Sequence, residues 1–198
     1  MYIPIQYCLN VRCVLRSPAM PLYAAQIRLN RENYLGFHSY FATICCADRH
    51  PAFADLASGK RLVIKLLECS ARHKFTMHAY CVMPDHLHMV VQGADAASHL
   101  LKFVDNFKQR TGFEYHQACG QWLWQSRFYD HILRKGDQVE DVAAYIWWNP
   151  VRAGLCRIPK QYPLSGSQTI AWMQWEGKAT VWNPPWKVQQ TGTEEPPG

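Results

Sequence analysis

The stretch FTMHAYCVMPDHLHMVVQG, residues 75–93, restricts the fold more than any other part of the chain. Residues 75–83 are aromatic, sulfur-bearing and β-branched in the manner of a strand. Pro84-Asp85 interrupts them, and residues 86–93 resume as a second strand closed by Gly93. Side chains two apart on a strand point the same way. His86 and His88 therefore project together, while Leu87 and Met89 face a core on the opposite side.

The flanking sequence supplies partners for these strands. HSYFATICC, residues 38–46, reads as a strand, and residues 51–73 carry Leu56, Leu62, Ile64, Leu66 and Leu67 at roughly helical spacing. A second long helix is predicted over residues 97–117, with Leu100, Leu101, Phe103, Val104 and Phe107 buried and Lys102, Lys108 and Arg110 wet. QWLWQSRFYDHILR, residues 121–134, reads as extended, aromatic and basic. A third helix follows, in which Asp137 and Glu140 resemble a capping box and Pro150 sets a stop near Trp148. The order strand, helix, strand, strand, helix, strand, helix predicts an α+β sandwich, two helices covering one face of an antiparallel sheet.

The chain has 198 residues and 48% hydrophobic composition, enough for one domain with a real core. Residues 1–35 read as a partly irregular extension, with Met1 or Met20 as the start. Residues 36–160 read as the domain, and residues 161–198 as a tryptophan-rich extension ending in a disordered tail. A net charge of +6 and a pI of about 8.9 fit a polyanionic partner. Eight cysteines form no C-x-x-C pair, which argues against a zinc ribbon, and several sit in apolar runs as small hydrophobes. No run approaches the roughly 20 apolar residues of a membrane span. These features predict a reducing, cytoplasmic setting without membrane contact.

Two imidazoles side by side would repel if both were protonated, and a divalent metal would use them as neutral ligands. Two ligands leave coordination positions open for substrate oxygens. Two surface histidines beside a turn are the plainer reading. In AAYIWWNP, Tyr145 and Asn149 are four apart and share a helix face. A phenol there could attack phosphorus beside a metal, with Asn149 completing the metal shell or orienting the phenol. A buried structural tyrosine followed by a helix stop would look the same.

MPDHLHMVV, WLWQSRFYDHILR and YIWWNPVRAGL, in that order and spacing, resemble the REP-associated tyrosine transposases, a single-tyrosine branch of the HUH endonucleases. The resemblance covers about residues 36–160. It implies a ferredoxin-like domain that cleaves single-stranded or hairpin DNA, such as REP-like repeats, using a tyrosine and Mg²⁺ or Mn²⁺. By the motifs, His86 and His88 match the metal ligands, Tyr145 the nucleophile, and Asn149 the polar residue that can join the metal. Tyr129 is a rival nucleophile on a less firmly held segment. His131 matches a phosphate or supporting contact, or else is structural. The implied chemistry is transesterification through a 5′-phosphotyrosine.

Arg127, Arg134, Arg152 and Lys108 are the candidate phosphate contacts, and Trp124 a candidate for stacking on bases, which is worth about 1–3 kcal/mol per base. Trp172, Trp175, Trp182 and Trp186 could pack as an extension, contact DNA, or cover the active site. A non-catalytic DNA-binding protein derived from a transposase is the competing function, and a water-using metal hydrolase ranks below it. Nucleoid association follows if DNA is the partner. Monomer and homodimer both remain open.

Overall fold

Pro84 and Asp85 form the two-residue turn of a hairpin. β2 (Phe75–Met83) and β3 (His86–Gly93) pair antiparallel from Met83 opposite His86 to Phe75 opposite Gly93, with a bulge between Met77 and Ala79. β1 (Ser39–Cys45) lies along the other edge of β3, from Ser39 opposite Gln92 to Cys45 opposite His86. β4 (Tyr129–Ile132) pairs with β1, and the two-residue β5 (Ser165–Gly166) with β2. The order β4-β1-β3-β2-β5 is antiparallel throughout. Its first four strands, with their helices, form the ferredoxin-like βαββαβ arrangement. This computed structural model describes residues 31–172, 174–177 and 182. The expected N-terminal extension up to residue 30, the disordered tail and Trp186 lie outside the described residues.

α1 (Leu56–Arg72) and α2 (Leu100–Cys119) cover one face. Asp55 caps α1 by accepting from the Ser58 N–H at 2.8 Å. Gly120, at φ +70°, ends α2 in the left-handed conformation that glycine adopts without penalty. Leu62, Leu66, Phe103, Val104 and Phe107 pack on Tyr40, Ala42, Ile44, Leu87, Met89 and Val91. Period-two alternation sends the neighbouring residues to the other face.

That face is covered by a helix as well. α3 (Val139–Trp147) packs Val142, Ala143, Ile146 and Trp147 on Phe41, Ala79, Cys81, Met83 and Val90. The expectation of helices on one face thus holds for α1 and α2, and α3 lies opposite. The reason is β3, which is buried on both sides and so demands cover on both. α3 ends at Trp147, and Pro150 occupies the first turn of the short α4 (Asn149–Arg152), where its missing N–H leaves no bond unmade.

One local expectation changes, and the segment beyond residue 160 is placed. Asp137 does not cap α3. Gln138 holds that position without a side-chain cap, and Asp137 instead accepts from the Arg134 N–H at 2.8 Å. The segment expected as an extension beyond residue 160 supplies β5 and lays Trp172 and Trp175 against Trp147 at ring-centroid distances of 4.3 and 5.0 Å. The six described cysteines are free thiols.

Candidate metal and tyrosine site

The strand register puts a row of side chains on the α3 face. Tyr129 of β4 is opposite Thr43 of β1, which is opposite His88 of β3, which is opposite Cys81 of β2. One step along, His131 is opposite Phe41 and Phe41 opposite Val90. In the other direction Cys45 pairs with His86. The two histidines therefore share a face with Tyr129, His131 and the packing residues of α3.

Both imidazoles are buried, and each is held from behind. His86 Nδ1 lies 2.6 Å from Asp85 Oδ1, and His88 Nδ1 lies 2.7 Å from Thr43 Oγ1. The remaining ring nitrogens turn toward each other, Nε2 to Nε2 at 2.9 Å. Asp85 is itself ion-paired to Arg49 at 3.0 Å. Burial pushes the Asp85 carboxyl up, but His86 and the Arg49 guanidinium outweigh it and hold the pKa below the usual carboxylate value. Burial drives the His86 pKa down against the opposing pull of Asp85, so the ring is neutral near pH 7.

Imidazoles with converging Nε2 atoms and carboxylate or hydroxyl support on Nδ1 form a donor set that fits a divalent cation. Among the described residues no group of three His, Cys, Asp or Glu side chains is placed to hold one. The pair by itself would leave most of a coordination shell to oxygens from elsewhere.

Tyr145 sits on the same side of the sheet. α3 carries it, and the residue is 8% exposed. Phe41 joins it to the histidines, with ring centroids 5.7 Å from His88 and 6.2 Å from Tyr145. The Arg152 guanidinium stands 4.6 Å from the Tyr145 ring centroid, and Nη2 donates to the Tyr145 carbonyl at 2.7 Å. Trp182 closes another side, its ring 5.1 Å from Tyr145 and 5.5 Å from Phe41. The Trp182 indole N–H donates to Asp137 at 2.9 Å, and Asp137 also lies 3.4 Å from His131.

The other sequence candidates separate. Asn149 directs its amide N–H groups to the carbonyls of Tyr145 and Ile146 at 3.2 and 3.1 Å, and so holds the end of α3. Tyr129 is half-buried, 6.1 Å from Phe41 by ring centroids. One intervening strand keeps Tyr129 about 10 Å from the backbone of His88. Arg127 and Arg134 are exposed. Lys108 donates to the Ser126 carbonyl at 2.8 Å and anchors the segment before β4. Trp124 is partly buried: its indole donates to Thr111 at 2.8 Å and its ring packs on Phe53 and Phe107. Sequence reading passed over Thr43, Phe41, Asp85 and Arg49. Asp85 carried a usable signal, a carboxylate beside His86. Thr43 and Phe41 became visible only through strand register.

The ferredoxin-like sheet thus gathers converging histidines and a helix-borne tyrosine on one face, and the sequence match gives the class, a transposase domain. Residues 37–148, more than half of the chain, match the family described as "Transposase IS200 like", and the chain belongs to that family. The match spans His86, His88 and Tyr145 and stops just before Asn149 and Arg152. The REP-associated tyrosine transposase of Escherichia coli K12 is 27% identical over 141 residues, 68% of this chain and 79% of its own length. A Haemophilus influenzae relative is 25% identical over 138 residues, 64% of this chain and 77% of its own. The solved structure of a REP-associated tyrosine transposase bound to a REP hairpin superposes with a TM-score of 0.60 at 21% identity, covering 72% of this chain and 82% of that one. That likeness establishes the shared fold. No helix among the described residues is long and apolar enough to cross a membrane.

Proposed function

We propose that the protein cleaves and rejoins single-stranded or hairpin DNA through a covalent link to Tyr145. The observation that carries this reading is the packing of Tyr145 and His88 on the same Phe41 ring, on one face of the sheet. The REP hairpin bound by the solved relative supports DNA of that type as the partner.

In the forward step the Tyr145 oxygen attacks the scissile phosphorus in line. The oxygen–phosphorus bond to Tyr145 forms as the bond to the 3′ oxygen breaks. The phenolic proton passes to solvent, and the 3′ oxygen takes up a proton as it leaves. The product is a 5′-phosphotyrosine and a free 3′-hydroxyl. Attack by that hydroxyl or another strand's reverses the step, and because the phosphoester is conserved in the covalent link no nucleotide is consumed. His86 and His88 would hold Mg²⁺ or Mn²⁺, which when bound withdraws charge from the phosphate and favours the departing oxygen. Imidazole softness leans toward Mn²⁺. Arg152 keeps the Tyr145 ring in place, and Phe41 shields the gap between ring and imidazoles from bulk water. Arg127 and Arg134 offer charge to the DNA backbone.

The test is incubation of the protein with labelled hairpin DNA and Mg²⁺ or Mn²⁺, followed by a denaturing gel. A covalent adduct absent from Tyr145→Phe is the expected result. An adduct lost in Tyr129→Phe but kept in Tyr145→Phe transfers the nucleophile to Tyr129. Retention of the hairpin without cleavage supports a binding protein derived from a transposase, and cleavage without an adduct a water-using hydrolase.

A further inference from the structure

We propose that Arg49 is a positioning residue for the metal centre: from a tight turn after β1 it grips the Asp85 carboxylate and so fixes the aim of the His86 ring. The inference rests on the metal reading above and adds a residue that no sequence motif marked.

The turn after β1 is bent by its own backbone. Asp48 (φ 50°, ψ 20°) and Arg49 (φ 55°) both stand in the left-handed region, which residues bearing a Cβ rarely adopt. Two such residues in succession persist where the surrounding contacts over-determine them. Here the Arg49 N–H donates to the Cys46 carbonyl and the His50 N–H to the Ala47 carbonyl, each at 3.1 Å. The bend carries the Arg49 guanidinium back beneath the end of β1. Its Nη1 donates to Cys45 Sγ at 2.9 Å, and its Nε stands 3.0 Å from Asp85 Oδ2.

One turn thereby holds Asp85 at two points. The Asp85 carbonyl accepts from the Cys46 N–H at 2.9 Å, and the carboxylate meets Arg49. The two carboxylate oxygens divide between neighbours, Oδ2 to Arg49 and Oδ1 to His86 Nδ1 at 2.6 Å. That last contact fixes the imidazole about its own torsions, whichever atom supplies the hydrogen. Cys45, the second group on the guanidinium, lies opposite His86 in the β1–β3 register. Arg49 therefore touches the neighbour of His86 along the chain and its neighbour across the strand. His88 has no such need, because its Nδ1 partner Thr43 is itself a strand residue set by register. His86 is the first residue of β3, beside a turn, and its support has to come from outside the sheet. A guanidinium is a planar fork that can meet sulfur and carboxylate together, whereas a lysine ammonium is a point charge on a flexible stem.

Wild type, Arg49→Met, Arg49→Lys, Asp85→Ala and the two double variants should be titrated with Mn²⁺ by calorimetry or electron paramagnetic resonance. Asp55→Ala, altered at the start of α1, is the control for lost stability alone. Arg49→Met should weaken Mn²⁺ binding by about 10–100-fold, the usual range for a residue that orients a metal ligand. Arg49→Lys keeps the charge without the fork, is the milder change for folding, and should still bind several-fold more weakly than wild type. Asp85→Ala should lose at least as much as Arg49→Met. Adding either Arg49 change to it should cost less than about twofold more, because Arg49 acts through that carboxylate. Wild type that binds Mn²⁺ while Arg49→Lys and any folded Arg49→Met bind it equally well overturns this inference alone. So do losses that simply add in the double variants, or a loss of the same size in Asp55→Ala. Wild type that binds no Mn²⁺ overturns the metal reading together with it.

Discussion

The Arg152 guanidinium lies over the Tyr145 ring, 4.6 Å from its centroid, and its Nη2 is bonded to the Tyr145 carbonyl at 2.7 Å. The seven-residue separation brings the two together because α3 ends at Trp147 and α4 starts at once, turning Arg152 back over the preceding helix. A cation over an aromatic face at an accessible site is worth about 0.5–1 kcal/mol. Its stronger effect here is to hold one ring orientation. Arg152→Ala should slow adduct formation about tenfold while leaving hairpin affinity near wild type, checked by single-turnover rates beside a filter-binding titration. Equal loss in both measurements would make Arg152 a DNA contact instead.

Trp182 packs on both Tyr145 and the sheet residue Phe41, anchored by its hydrogen bond to Asp137. On the proposed chemistry a DNA strand has to reach the Tyr145 phenol, and removing the indole that packs on it would widen the approach. Trp182→Ala is expected to raise the adduct rate severalfold without changing the thermal midpoint by more than a few degrees, measured by gel assay and circular dichroism. A slower rate would show that the indole helps to hold DNA.

The acid side of the stability curve carries a signature of His86. Its folded-state pKa lies below the ordinary histidine value of 6.5 because burial disfavours the charged ring, so below about that pH the unfolded chain binds a proton that the folded protein does not. Stability should be intact above this value and decline as the pH falls beneath it, until His86 itself titrates. Urea midpoints at pH 7.5 and 5.5 should therefore differ less in His86→Gln than in wild type. Asp85, held below its usual pKa, contributes a separate loss with the same sign at lower pH.

Arg127 and Arg134 are exposed on either side of β4. If each neutralises one phosphate, alanine at either should reduce the slope of log affinity against log salt by about 0.7–0.9 and weaken binding similarly for all hairpin sequences. Binding isotherms across a salt series decide this. A change confined to one hairpin sequence would indicate base reading.

The Asp55 carboxylate accepts from Ser58 at the start of α1, in a place remote from the sheet's α3 face. Asp55→Ala should destabilise the fold by about 1 kcal/mol and leave metal affinity unchanged. Chemical denaturation and a Mn²⁺ titration measure the two effects separately.

Much of this architecture was legible in local pattern. β2, β3 and the break between them stand where alternation and Pro84-Asp85 put them, because the two-residue period and a proline's missing N–H are properties of the chain itself. The co-facing of His86 and His88 follows from the same period. Asp137 was misread because a capping signature describes a short window, whereas this carboxylate is claimed by the Arg134 N–H and the distant Trp182. The Trp124 indole bond to Thr111 is likewise a tertiary contact, which its basic neighbours in sequence do not signal.

Residue types at short spacing thus specified the strands, the paired imidazoles and a tyrosine on a helix, since backbone periodicity and turn chemistry act within a few residues. Their convergence required folding. Phe41 between His88 and Tyr145, Thr43 behind His88 and α3 on the second face of the sheet all come from strand register and from burial of β3 on both sides. Those are contacts between segments 45 residues apart, as for Thr43 with His88, to 104 apart, as for Phe41 with Tyr145, and no local pattern encodes them.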